Sequence, residues 1–156
     1  MIKYCLRQWD KNREVLREAY RTCTGWNDWE YTDVVTMTVE CILNNGVDEY
    51  DDYYWDIKGI SCIDNGDYQG TLLFLIPKNT YQPDESEYLM TYVDYGSCSG
   101  CDTLQAIQSC GEYGNKTLTE QQVIDFMQLS KDIITNMIRP YNKGWRHKDI
   151  FDTVET

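Results

Sequence analysis

The feature that most constrains the fold is Leu72-Leu-Phe-Leu-Ile76, apolar at every position and followed by Pro77. This is strand length. A strand with apolar side chains on both faces belongs in the middle of a sheet, covered on each side. Proline lacks the amide that a sheet ladder needs, so Pro77 predicts the end of the strand. Trp55–Ile63 and Tyr68–Ile76 read as a hairpin around Asn65-Gly66, a two-residue type I′ turn with both residues at positive φ. Glu87–Tyr95 supplies a third strand, and the simplest sheet is a three-stranded antiparallel meander.

Helices flank these strands in sequence. Asp10–Arg21 can be capped by Asp10, with Val15, Leu16, Ala19 and Tyr20 as its apolar stripe. Arg13, Arg17 and Arg21 alternate with Glu14 and Glu18 on a solvated, salt-bridged face. Asp33–Leu43 fits a strand by the alternation of Val35, Met37, Val39 and Cys41. It also fits a helix by the wide face of Val34, Val35, Thr38, Val39, Cys41 and Ile42. Its length of eleven residues, between Asp33 and Asn44-Asn45-Gly46, favours helix. Asp102–Ser109 is a short helix. Thr119-Glu-Gln-Gln122 is a capping box with Leu118 and Val123 as a staple, opening a last helix that Pro140 ends. Trp26-Asn-Asp-Trp29 is a loop plugging one end of the core. The segregation of sheet and about four helices predicts an α+β domain over residues 1–140, with 141–156 a polar, loosely ordered tail.

Charge narrows the function. The net charge of −12 is unevenly placed: +3 over residues 1–21, −13 over 22–100 and −2 over 101–156. Such a field repels nucleic acid and membranes and attracts cationic partners. Met1-Ile-Lys-Tyr-Cys-Leu-Arg7 has no apolar signal region, and no apolar run nears the ~18 residues of a membrane span. The seven cysteines are odd in number and scattered, which suits a reduced cytoplasmic chain. Direct nucleic-acid binding and membrane insertion are therefore not expected. With His147 the only histidine, and without a phosphate-binding loop, no catalytic arrangement is selected.

Two stretches can carry function. Asp48 to Asp56 packs five acids and four aromatics into nine residues. Asp48, Glu49, Asp51, Asp52 and Asp56, with Tyr53 and Tyr54, can occupy a cationic groove that a partner keeps for phosphates. The plainer reading is a solvated loop whose tyrosines cover the sheet edge. The second stretch is Tyr92 to Cys110, read as strand, tight loop and helix. Cys98-Ser-Gly-Cys101 would place a thiol near a positive helix end, with Asp94 and Asp102 opposing a thiolate. The same pair has half of a zinc-site spacing, with Cys110, and Cys62 or His147, as candidate further ligands. A packed turn of small residues, or an anion cradle of loop amides, would also account for it.

Asp67-Tyr-Gln-Gly-Thr-Leu72, Ile76-Pro77 with Thr80-Tyr-Gln-Pro83, and Tyr95-Gly-Ser-Cys-Ser-Gly-Cys-Asp-Thr-Leu104 resemble a family of small uncharacterised phage and prophage proteins, over roughly residues 55–110. The family brings no catalytic residue. The resemblance implies a protein working in a bacterial host cytoplasm, where small acidic phage proteins interfere with host or defence machinery, in the manner of anti-CRISPR proteins. The leading expectation is a non-enzymatic binder of a host or defence protein with a cationic surface. The alternatives are a thiol-redox or zinc protein at the Cys-x-x-Cys pair, and a phage structural or assembly component.

Overall fold

Leu16, Tyr20, Trp9, Cys5 and Tyr4 fall on one stripe of a single helix, and that helix is longer than Asp10 suggests. In this computed structural model, which describes residues 2–111, 114 and 116–139, helix α1 spans Ile2–Thr22. Asp10 lies in its middle, where the amides already have partners, so it caps nothing. The buried stripe is Tyr4, Cys5, Trp9, Asn12, Leu16 and Tyr20; Val15, expected inside, is exposed.

Helix α2 spans Tyr31–Thr38 and continues as a π-helical turn over Val39–Leu43, closed by the Asn44 amide donating to the Val39 carbonyl. The helical reading of this stretch holds, but it starts earlier than Asp33. Glu30 is the cap, and Asp33 sits three residues in, accepting the Glu30 amide at 2.8 Å. The wider π turn shifts the buried face to Val39, Ile42 and Leu43, leaving Cys41 half-buried.

The sheet is a three-stranded antiparallel meander, β1 (Ser61–Asp64), β2 (Gly70–Pro77) and β3 (Tyr88–Tyr95), in the order β1-β2-β3. With helices α3 (Thr103–Ser109) and α4 (Glu120–Thr135), the fold is α+β. Three details differ from the sequence expectation. Only Ser61–Asp64 of the first segment pairs as strand, while Trp55 bridges Lys78 and Ile57–Gly59 is a 3-10 turn. The hairpin connection is residues 65–69, and neither Asn65 nor Gly66 has positive φ. Side chains close it instead: Asp64 Oδ1 accepts the Gly66 amide and Asn65 Oδ1 the Thr71 amide. Glycine is required at 66 because a Cβ there would stand 2.2 Å from the Gln69 carbonyl oxygen. The last difference is that β2 is not covered on both faces. Phe74 and Ile76 are buried, while Leu73 and Leu75 are half-buried beside exposed Ile63 and Tyr92.

Helix α4 begins as its capping box predicts. Thr119 Oγ1 accepts the Gln122 amide, and Gln122 Oε1 accepts the Thr119 amide at 2.9 Å. It ends at Thr135, ahead of Pro140, and Ile138 bridges Met90 at the outer edge of β3. Residues 141–156, including His147, lie outside the described residues. No helix among the described residues is long and apolar enough to cross a membrane.

Three helices meet at buried hydroxyls. Thr38 Oγ1 lies 2.7 Å from the Val34 carbonyl and 2.8 Å from Ser130 Oγ, which is 2.6 Å from the Tyr20 hydroxyl. A carbonyl can only accept, so Thr38 gives its one proton to Val34 and accepts from Ser130, which accepts from Tyr20. Tyr20 also stacks on Phe126 at 5.1 Å, and Trp29 meets Phe126 edge-on. Ser130→Ala leaves two fully buried hydroxyls short of a partner, so it should lower stability by about 1–3 kcal/mol. Urea unfolding measures this; an unchanged midpoint would contradict the relay.

Candidate functional site

The Cys-x-x-Cys loop is organised by the residue that follows it. Asp102 is 4% exposed, and its carboxylate is fully engaged. Oδ1 accepts the Tyr31 hydroxyl at 2.9 Å and the Gly96 amide at 3.0 Å, while Oδ2 accepts the Gln105 amide and caps α3. The Tyr31 hydroxyl in turn accepts the Leu104 amide. One side chain thus joins the end of β3, the start of α2 and the start of α3. Gly96 is required by close approach, since a Cβ there would lie 2.6 Å from the Cys101 carbonyl oxygen and 2.7 Å from its sulfur.

The two thiols are exposed and adjacent, with Cys98 Sγ 2.9 Å from Cys101 Sγ. Hydrogen bonding from Cys98, first from its side chain and then from its backbone amide at 3.2 Å, holds the Cys101 thiol below the usual range. The stabilisation therefore comes from Cys98. The expected helix end does not supply it, because Asp102 occupies that position and α3 has only seven residues. The two carboxylates expected to oppose a thiolate are engaged elsewhere: Asp102 is turned inward, and Asp94 accepts the Thr71 hydroxyl at 2.7 Å. Four of the loop's amides already have partners within the loop. The Gly96, Cys101 and Asp102 amides go to Asp102 and to the Cys98 carbonyl, and the Cys98 amide goes to Cys101 sulfur. Chemically the pair is a dithiol, and a modest approach of the sulfurs brings them to the ~2.05 Å of a disulfide.

As a metal centre, Cys98, Cys101 and Cys110 are not gathered. No group of three or more His, Cys, Asp or Glu side chains among the described residues is placed to hold an ion. Cys110 follows α3 and Cys62 sits on β1.

The acidic run is a series of ordered turns. Asp48 Oδ1 accepts the Tyr50 amide, Asp51 Oδ1 the Tyr53 amide and Asp56 Oδ1 the Lys58 amide. Asp52 pairs with Lys78 at 2.7 Å. Asn44 clamps the Trp55 backbone on both its amide and its carbonyl at 2.8 Å, and the Trp55 ring is buried. Tyr53 packs on Tyr4 at 5.4 Å and Tyr54 is half-buried, so neither tyrosine is fully presented. Tyr50 is the presented one, 88% exposed, among exposed Asp48, Glu49, Asp51 and Asp52.

One feature of the surface gave no sequence signal. A groove of about 460 Å³ opens beside the cysteine loop, between the start of α2, strand β1 and α3. Trp29, Glu30, Cys62, Asp64 and Tyr95 line it. Asp64 accepts the Tyr95 hydroxyl at 2.6 Å, and this bond foremost, then the Gly66 amide, holds its carboxyl below the usual range. Its lining residues are far apart in the chain, so no local motif marks it.

Asp102→Ala should destabilise the fold by at least about 2 kcal/mol, because it strands a buried hydroxyl and two amides. Cys98→Ser should leave stability nearly unchanged; urea unfolding of both variants is the check, and equal midpoints would contradict this account. Comparisons of the chain with protein-family models, curated proteins and solved structures gave no match.

Proposed function

We propose that this protein acts by binding a partner with a cationic surface, through the turn Asp48-Glu-Tyr-Asp-Asp52. The observation that carries the reading is the presentation of Tyr50 among four exposed carboxylates on an ordered backbone. Negative groups held at fixed positions can fill a groove shaped for phosphates, and they release its counterions as nucleic acid would. A tyrosine gives such an interface a rigid anchor at low entropic cost. The partner is then a host or defence protein that handles nucleic acid in a bacterial cytoplasm, and occupation of its groove inhibits it without chemistry. The acidic surface itself disfavours nucleic acid as a direct ligand.

The test is capture from bacterial lysate with the wild-type chain and with Asp48→Lys, Glu49→Lys and Asp51→Lys combined. Asp52 is left in place because it is tied to Lys78. Wild type should retain a nucleic-acid-handling protein, and the triple variant should bind it at least about tenfold more weakly. Equal retention would sink the reading.

A second reading is favoured by the 2.9 Å separation of Cys98 and Cys101. In it the pair is a redox dithiol. The Cys101 thiolate attacks a small disulfide such as oxidised glutathione, releasing one thiolate and leaving a mixed disulfide. Cys98, losing its proton, displaces the second thiolate and closes the Cys98–Cys101 bond. The protein loses two electrons and two protons, and the small disulfide gains them. Because hydrogen bonds from Cys98 lower the Cys101 pKa, Cys101 should alkylate at a lower midpoint pH than an unperturbed thiol. Cys98→Ala should move that midpoint up, as measured by mass spectrometry across a pH series. An unchanged midpoint would remove the second reading.

A further inference from the structure

Among the described residues strand β1 is a sheet edge: it pairs only with β2, and all four of its residues are exposed. The backbone there has a definite polarity. Asn65 donates its amide to the Thr71 carbonyl beside the β1–β2 ladder, and in an antiparallel ladder such bonded pairs recur at every second residue. Ile63 and Ser61 therefore face β2, while Cys62 and Asp64 turn their amides and carbonyls toward the free edge. The side chains of these same two residues line the groove.

An incoming antiparallel strand would thus bond to Cys62 and Asp64, and its residues opposite them would point into the groove. The lining selects what enters. Glu30 and Asp64 supply two carboxylates, Trp29 and Tyr95 supply aromatic surface, and no Lys or Arg among the described residues lines the groove. Tyr95 and the Gly66 amide both bond to Asp64 Oδ1, so Oδ2 takes no hydrogen bond among the described residues. The Cys62 thiol reports the local field: burial foremost, then the charges of Asp64 and Glu30, push its pKa up. A planar guanidinium answers this set, pairing with carboxylate while stacking on an aromatic ring.

We propose that the free edge of β1 and the adjoining groove form a docking site for an extended segment of a partner protein, which adds a strand to the sheet and inserts an arginine between Glu30, Asp64 and Tyr95. The intervening side chains of that segment lie beside Ile63 on the opposite face. This site uses none of the residues of the acidic turn at 48–52, so it can stand or fall independently of that turn.

The test uses a short synthetic peptide alternating threonine and arginine, titrated into the full chain and followed by amide NMR and hydrogen exchange. Saturable binding should slow exchange at the Cys62 and Asp64 amides. Replacing the arginines by glutamine, or combining Glu30→Gln with Asp64→Asn, should weaken binding by about tenfold or more. N-methylation of the peptide's bonding amides should abolish it. The proposal is overturned by absent binding, by equal binding of the glutamine peptide, or by protection confined to Asp48, Glu49 and Asp51. A dimer of the free chain already protected at Cys62 and Asp64 would assign the edge to a second copy and overturn it as well.

Discussion

The Asp102 carboxylate is the point on which the cysteine loop and the groove beside it depend. It lies buried where the end of β3, the start of α2 and the start of α3 converge, and each contributes one hydrogen-bond donor. A buried carboxylate is tolerable only when its oxygens are satisfied, so the three elements are held at the spacing that satisfies it. Burial foremost raises the Tyr31 phenol well above its ordinary value, so it stays a proton donor to Asp102 throughout the physiological range. The cysteine loop is then a short span between two fixed ends, Gly96 and Asp102. The groove shares these walls, since Tyr31, Gly96 and Asp102 all border it.

The acidic residues in the middle of the chain fall into two sets. Asp48, Asp51, Asp56, Asp64 and Asp84 each accept the amide two residues on, a repeated turn-forming device. These aspartates would be needed in any protein with this many tight turns. Glu49 is not accounted for in that way, and Asp52 engages only Lys78 among the described residues. The excess of charge over turn chemistry, gathered around one exposed tyrosine, is what favours a binding surface over simple solvation. The same ordering fixes the carboxylates in place, which a partner groove can recognise more readily than a mobile acidic tail.

The sheet, the capping box at Thr119 and the helical nature of 33–43 were legible because each rests on residues close in sequence. Gln122 shows the limit of such signals: it completes the predicted box, yet it is fully buried and also donates to the Ile107 carbonyl, a contact no local pattern indicates. The start of α1 was hidden because Asp10 is a good cap by type, while Tyr4, Cys5 and Trp9 identify the stripe only once Asn12 is accepted as buried. Asn12 is buried because it donates to the Ile42 carbonyl at the end of the π turn, a contact across thirty residues. The Asn65-Gly66 pair has the composition of a type I′ turn, but the side chains of Asp64 and Asn65 bond the following amides and widen the connection. The cysteine pair was legible as a motif and its electrostatics were not, because Asp102 is turned into the core by Tyr31, far away in the chain. The groove was invisible for the same reason.

A binding surface at Asp48–Asp52 of the kind proposed would compete with nucleic acid for a partner's cationic groove. The most direct measurement is a competition experiment with the captured partner, its nucleic acid carrying a fluorescent label, titrated with this protein at several salt concentrations. Binding should be mutually exclusive, with both affinities falling steeply and in parallel as salt rises. A stable ternary complex, or binding indifferent to salt, would contradict it.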